Sequence, residues 1–176
     1  LRQEEFSDVF KDTQFEIPKI LANEDLEIQV DFDALFPSDY IQSDTERFSI
    51  YKRLYNLQTN IEIDELKKEL IDRFGIIPEK AEKLLFVVKL RIASLNTGFR
   101  KVMLNKGQLI IELPKQTNSE FYEKIFPSLS EIFQDIPEAK LKQKKAALLL
   151  NISIKSREEA VEILWRIKNN IKALFL

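Results

Sequence analysis

The sequence predicts an α+β fold, in which a small mixed or antiparallel sheet packs in two layers against about five helices. Three observations indicate this class. Apolar and polar residues alternate over 26–32, helical spacing follows over 43–96, and further short alternating segments lie after residue 100. Strands that are interrupted by several consecutive helices fit an α+β two-layer fold.

The first 25 residues are predicted to lie outside this fold. Residues 1–12 carry a thin apolar stripe typical of the end of a helix, and residues 13–25 carry Pro18 and a polar stretch typical of a linker. The chain begins with Leu1 rather than Met, which suggests a piece of a longer protein. We therefore expect 1–25 to be the tail of a preceding region with a linker, and 26–176 to form one domain.

The domain is predicted to begin with a strand and an apolar loop. Leu26, Ile28, Val30 and Phe32 alternate with charged and amide residues, as in a half-buried strand. The residues at 35–41 are too apolar for a solvated loop. We expect them to pack across the surface of the domain.

Three helices are predicted next, over about residues 43–57, 61–74 and 78–96. Ser43 and Glu46 have the spacing of a capping box, which begins the first helix. Gly75 ends the second helix, and Pro78 suits the first position of the third. The third helix is apolar on much of its circumference, so we expect it to be the central core helix.

Two strand pairs and two helical regions complete the prediction, over about residues 100–104, 108–113, 119–135, 140–143, 146–154 and 156–174. Asn105-Lys106-Gly107 suits a hairpin turn between the first two strands. Pro127 is expected to break the helical region 119–135. Ser156 and Glu159 form a second capping box, which begins the last helix.

The absence of Cys and His excludes much catalytic chemistry. With neither residue in the 176-residue chain, disulfides, thiol nucleophiles, Ser–His triads and zinc sites with Cys or His ligands are ruled out. No phosphate-binding glycine motif, bilayer-spanning apolar run or signal-peptide pattern occurs. Any enzyme here would have to work with carboxylates, Lys, Arg, Tyr or Ser, and the lack of Cys is compatible with the cytoplasm. Our expectation is a cytoplasmic, non-enzymatic fragment that has no cofactor, no metal and no membrane contact.

The second predicted helix carries an uneven distribution of charge. At about 100° per residue, four carboxylates fall in one arc, here named the acidic stripe: Glu62, Glu65, Glu69 and Asp72. Arg73 is expected to reach only Glu69, and the lysines of the helix lie on its far side. The stripe suits docking of a basic partner, but a solvated helix face without function has the same spacing. A catalytic or metal site is disfavoured, because its ligands should converge from several elements.

The basic run at 140–145 is the only candidate for nucleic-acid binding. Lys140, Lys142 and Lys144 alternate with Leu141 and Gln143, so a strand would place the three lysines on one face. Lysines often protect an edge strand against aggregation, and no aromatic residues interleave to stack on bases. Edge protection is the favoured interpretation, and a nucleic-acid-binding module is the alternative.

The aromatic residues are expected to lie mainly in the core. Phe48, Phe74, Phe86 and Phe99 occupy helical or strand positions that suggest burial. Tyr40 and Trp165 are better candidates for exposure and for an interface, although partial burial against a loop fits both equally well.

Several short motifs follow one another in a specific order: Phe36-Pro37-Ser38-Asp39-Tyr40-Ile41, Glu46-Arg47, Tyr51-Lys52-Arg53-Leu54, Glu69-Leu70-Ile71-Asp72-Arg73-Phe74-Gly75, Lys89-Leu90-Arg91 and Gly98-Phe99-Arg100-Lys101. This succession resembles the C-terminal domain of bacterial transcription-repair coupling factor. The specific motifs end at Lys101, and the later part is similar only in its pattern of elements. Residues 1–25 would then be the tail of the motor region and the linker.

The resemblance implies a regulatory role. Members of the family are ATP-driven DNA translocases that displace stalled RNA polymerase at lesions and recruit the repair protein UvrA, so ATP and Mg²⁺ belong to the motor. The C-terminal domain is implied to pack on the protein's own N-terminal, UvrB-like module and to hide its UvrA-binding surface. UvrA and RNA polymerase would be indirect partners, and no direct nucleic-acid contact is expected of this domain.

The resemblance also implies which residues make the contact. Glu69 and Asp72 match the acidic contact residues of the family motif. Glu65 and Glu62 join them as members of the acidic stripe, and Arg73 joins as their neighbour in the motif.

Overall fold

The computed structural model describes residues 26–176, so the helix end and linker predicted for residues 1–25 lie outside the described residues. Within 26–176 the chain forms five strands and six helices. The strands are β1 (Glu27–Val30), β2 (Lys101–Asn105), β3 (Gln108–Glu112), β4 (Lys140–Lys144) and β5 (Ala147–Ser153). The helices are α1 (Asp44–Asn56), α2 (Asn60–Phe74), α3 (Glu79–Ser94), α4 (Ser119–Lys124), α5 (Phe126–Gln134) and α6 (Arg157–Ala173).

The five strands form one mixed sheet in the order β1-β2-β3-β5-β4. β1 pairs parallel with β2 after the excursion through α1, α2 and α3, and the other three pairings are antiparallel. In the β2–β3 hairpin, Asn105 pairs with Gln108, and the two residues between them, Lys106 and Gly107, have φ of 47° and 72°. Positive φ at both central residues is what a tight hairpin turn requires. The predicted α+β class and the mixed sheet are confirmed.

A large hydrophobic cluster lies between one face of the sheet and α3, α4, α5 and α6. Alternate residues of β2, β3 and β5 are buried in it: Val102, Leu104, Leu109, Ile111, Leu150 and Ile152. α6 contributes Leu164 and Ile167, and α3 contributes Leu90. This period of two is the alternation expected for a sheet with one face against the core.

A second, smaller cluster lies on the other side of α3 and joins it to α1, α2 and the loop at 36–41. Phe36 and Ile41 of this loop are buried, as predicted. The Tyr51 hydroxyl accepts a hydrogen bond from the backbone N–H of Phe36 at 2.8 Å. The Tyr40 hydroxyl donates to the carbonyl oxygens of Leu70 and Gly75, both at 3.2 Å. These bonds fix the loop against α1 and the end of α2.

The prediction that Phe48 belongs to the core is wrong, because its side chain is 67% exposed. The core face of α1 consists of Ile50 and Leu54, which are buried. Phe48 lies about 160° around the helix from Ile50 at 100° per residue. Phe99 is buried as predicted, whereas Tyr40 and Trp165 are half-buried.

Helix boundaries differ from prediction in small ways. Pro78 is the N-cap of α3 rather than its first residue, and α3 ends at Ser94. The capping box predicted at Ser43 is half formed: Ser43 Oγ accepts from the Glu46 N–H, but the Glu46 carboxylate bonds to Arg73 instead. The break predicted at Pro127 is present, and it separates α4 from α5, so 26–176 contain six helices rather than about five.

Candidate protein-interaction face

α2 buries one face and exposes the face that carries the acidic stripe. Ile63, Leu66 and Leu70 are buried against the smaller cluster. The helix ends at Gly75, whose φ of 83° favours a residue without a Cβ. The buried face therefore fixes the rotation of α2, and with it the direction in which the four carboxylates point.

Glu62, the first carboxylate of the stripe, caps the N-terminus of α2. The capping box is complete, because Thr59 Oγ1 accepts from the Glu62 N–H and Glu62 Oε2 accepts from the Thr59 N–H at 2.8 Å. Glu62 Oε2 also accepts from the Gln58 N–H at 2.9 Å. These bonds, led by that from Gln58, lower the pKa of Glu62. Its carboxylate is thus engaged in holding the start of the helix.

Glu69, the third carboxylate, is held by two arginines. Arg53 of α1 forms a two-pronged ion pair with it, Nη1 to Oε1 at 2.8 Å and Nη2 to Oε2 at 2.7 Å. Arg73 Nη1 also donates to Glu69 Oε1, at 2.9 Å. These hydrogen bonds, that from Arg53 first, lower the pKa of Glu69 to about 2. Glu69 is therefore ionised and firmly paired within the domain.

Arg73 joins Glu69 to a further acid, which corrects the expectation that it reaches only Glu69. Its Nη2 pairs with Oε1 of Glu46 in the first turn of α1. Glu46, Arg53, Glu69 and Arg73 thus form an alternating four-residue charge cluster that bridges α1 and α2, with equal numbers of acidic and basic groups. Because the charges cancel, the cluster fastens the two helices more than it attracts a partner.

Glu65 and Asp72 differ from the other two members of the stripe. Both are exposed, and neither side chain makes a hydrogen bond or ion pair with any residue in 26–176. They are seven residues apart, which places them on one side of α2 about 10 Å apart along its axis. Lys68 is exposed beside them, about 40° around the helix from Asp72, which corrects the expectation that the lysines of α2 lie on its far side. Glu65 and Asp72 are thus the exposed, unpaired carboxylates of the acidic stripe.

Sequence reasoning missed Arg53 as the partner of Glu69. The two residues are 16 positions apart on different helices, so no spacing rule within one helix finds the pair. The signal that could have found it is the short connection between α1 and α2, which makes the two helices antiparallel neighbours.

The lysines of the basic run lie on an edge strand of the sheet, as predicted. β4 is the last strand of the sheet and pairs only with β5. Lys140, Lys142 and Lys144 are all exposed, and none of them has an ion-pair partner among the residues the structure describes. Their cross-strand neighbours on β5 are Asn151, Leu149 and Ala147. The position at the edge is confirmed, and the protective role remains a prediction.

A cavity of about 610 Å³ lies between α2, α3 and α6. Lys67 of α2 pairs with Glu82 of α3 at 2.8 Å on its wall, and Trp165 of α6 also lines it. Both signs of charge line it, so it has no evident preference for a charged ligand. In residues 26–176 no group of three or more acidic, His or Cys side chains is arranged to hold a metal ion. None of the helices there has the length and apolar character that a membrane span needs.

Known proteins match both the sequence and the fold. Residues 30–124 match the family model described as TRCF domain. Transcription-repair-coupling factor of Escherichia coli (strain K12) is 31% identical over 133 residues, which is 68% of this chain and 12% of that protein. That of Staphylococcus epidermidis (strain ATCC 12228) is 36% identical over 104 residues, or 58% of this chain and 9% of that protein. The chain thus spans about a tenth of the length of these curated relatives.

A solved structure has the same fold. The crystal structure of the C-terminal domain of transcription-repair coupling factor superposes with a TM-score of 0.66. It is 19% identical in sequence, and the match covers 85% of this chain and 93% of that chain. The sequence match includes α2 and the charge cluster, whereas β4, β5 and α6 lie after residue 124.

Proposed function

This chain belongs to the TRCF domain family, and from that premise we propose that it is an autoinhibitory protein-interaction domain of a transcription-repair coupling factor. The exposed side of α2 docks on a basic patch of the N-terminal, UvrB-like module of the same protein. In that position it covers the surface that binds UvrA. The observation that carries the proposal is the pair of exposed, unpaired carboxylates Glu65 and Asp72 on a rigidly held helix.

Within this proposal the five candidate residues divide into two roles. Asp72 and Glu65 contact the basic patch directly. Glu69 and Arg73 tie α2 to α1 through the charge cluster, and Glu62 holds the start of α2. A fixed helix presents its carboxylates without first having to order them, which lowers the cost of binding.

The mechanism is a population shift. In one chain the tether raises the effective concentration of the two modules, so a weak interface suffices to keep UvrA out. When the protein is remodelled on stalled RNA polymerase, the interface is lost and UvrA binds. ATP and Mg²⁺ serve the motor of the whole protein, a DNA translocase, and this domain takes part in DNA repair without chemistry of its own.

The experiment measures the affinity of the full-length protein for UvrA in the absence of polymerase. The double change Glu65→Lys and Asp72→Lys should raise this affinity, because the new lysines repel the basic patch and weaken the interface that masks the UvrA-binding surface. Asp64→Lys is the matched control, since it reverses an exposed charge about 80° around the same helix from Asp72. Equal UvrA affinity of the double variant and the wild type would contradict masking by this face.

A further inference from the structure

We propose that Ile61 and Ile76 are the apolar anchors of the docking face, so that the partner surface has basic side chains between two apolar recesses. This inference rests on the proposed function and names what the partner must offer. Ile61 and Ile76 are 71% and 92% exposed, although both side chains are large and aliphatic. Ile61 lies in the first turn of α2, and Ile76 follows Gly75, just beyond the C-terminal end of the helix.

Ile61 lies on the same side of α2 as the reachable carboxylates. Ile61, Glu65, Lys68 and Asp72 are spaced i, i+4, i+7 and i+11, so they form one row within an arc of about 60°. Side chains with this spacing are the ones through which an amphipathic helix contacts a groove on another protein. The row therefore combines one apolar end with two acidic positions and one basic position between them.

Ile76 is held out from the domain on a fixed backbone. The preceding residue, Gly75, accepts a hydrogen bond from the Tyr40 hydroxyl at 3.2 Å, and its N–H bonds to the carbonyl of Ile71 at 2.9 Å. The following residue, Ile77, is buried. Because the chain is fixed on both sides of Ile76, binding of its side chain in a recess costs little conformational entropy.

Apolar anchors supply binding energy that two exposed carboxylates do not. Exposed charges are screened within about 8 Å at physiological salt, and they contribute more to the rate of encounter than to the lifetime of a complex. Side chains that fill desolvated pockets at the centre of an interface carry most of the binding energy. An interface with both features keeps much of its strength when salt is raised.

The test uses the full-length protein and measures UvrA affinity, without polymerase, from low to high salt. Ile61→Ser and Ile76→Ser should each raise UvrA affinity at least about fivefold, because the loss of an anchor opens the masked state. This gain should be the same at every salt concentration, whereas the gain from Asp72→Asn should shrink as salt rises. The midpoint of urea unfolding should stay unchanged in all three variants.

Phe48→Ser is the matched control, since Phe48 is 67% exposed but lies on α1, about 140° around that helix from Arg53. It should leave UvrA affinity unchanged. If the double carboxylate reversal unmasks UvrA binding but the isoleucine variants behave like Phe48→Ser, the anchor inference is wrong and masking stands. If neither set changes UvrA affinity, masking itself is wrong and the anchor inference falls with it.

Discussion

α2 and β4 are both charged segments on the surface, but they relate to the rest of the domain in opposite ways. α2 buries Ile63, Leu66 and Leu70, and two of the four carboxylates of its acidic stripe are engaged in the cap or in ion pairs. β4 buries none of its five residues and touches one neighbouring strand. The charge on α2 is thus placed by packing, whereas the charge on β4 lies along an open edge. Packing therefore fixes the direction of the α2 charges, whereas the β4 charges lie on an exposed edge.

The largest expected difference between the two segments is in their contribution to stability. Leu70→Ala in α2 should lower the free energy of unfolding by about 2–5 kcal/mol, because it leaves a cavity in the smaller cluster. Leu141→Ala in β4 is the matched control, since Leu141 is half-exposed, and it should cost less than about 1 kcal/mol. Urea unfolding with a constant m-value measures both. Equal losses would contradict the contrast between a packed and an unpacked segment.

The next effect concerns the cap of α2. Thr59→Ala should cost about 1 kcal/mol, because Thr59 Oγ1 no longer accepts from the Glu62 N–H. Thr45→Ala is the control: Thr45 lies in the first turn of α1, and its hydroxyl makes no hydrogen bond within residues 26–176. Its effect should stay within about 0.5 kcal/mol. If Thr45→Ala proved the more destabilising change in urea unfolding, the capping role of Thr59 would be refuted.

A smaller, pH-dependent effect should come from the charge cluster. The folded state lowers the pKa of Glu69 from 4.5 to about 2, so its contribution to stability is complete above pH 4.5 and is lost as pH falls towards 2. At neutral pH, Glu69→Gln should cost about 1 kcal/mol or less, because solvent screens a side chain that is one-third exposed.

Urea unfolding from pH 7 to pH 2 checks this expectation. The difference between wild type and Glu69→Gln should shrink through the interval below pH 4.5. Glu65→Gln is the control, since Glu65 has no ion-pair partner within residues 26–176, and it should change little at any pH. A difference for Glu69→Gln that is the same at pH 7 and pH 2 would mean that the arginines do not hold the carboxylate.

Local pattern was enough to predict most of the fold and only part of the candidate site. Periodicity and caps predicted every helix and strand from residue 26 onward, because these signals depend on residues within one turn or one hairpin. The same periodicity placed Glu65 and Asp72 on one face of α2. It could not distinguish them from Glu69, because Glu69 is neutralised by Arg53 of another helix. Phe48 was misplaced for a related reason, since tertiary packing selects Ile50 and Leu54 as the buried arc of α1.

The smallest effect on stability should come from the lysines of β4, and it separates the two interpretations of that strand. The triple change of Lys140, Lys142 and Lys144 to Glu should alter the free energy of unfolding by less than about 0.5 kcal/mol, because the side chains are exposed and no carboxylate lies directly opposite them on β5. Edge protection needs charge of either sign, so the Glu variant should stay monomeric, whereas the corresponding triple Gln variant should associate through its edge. Sedimentation over a range of concentrations measures this.

A nucleic-acid site would need the positive sign at the same three positions. In that case the wild type should bind duplex DNA with an affinity that falls steeply with salt, and the Glu variant should lose that binding. We expect instead weak or absent DNA binding by both and association of the Gln variant alone. If only the wild type bound DNA in a salt-sensitive way, β4 would be a binding surface rather than a protected edge. The contrast drawn above between α2 and β4 would then be wrong.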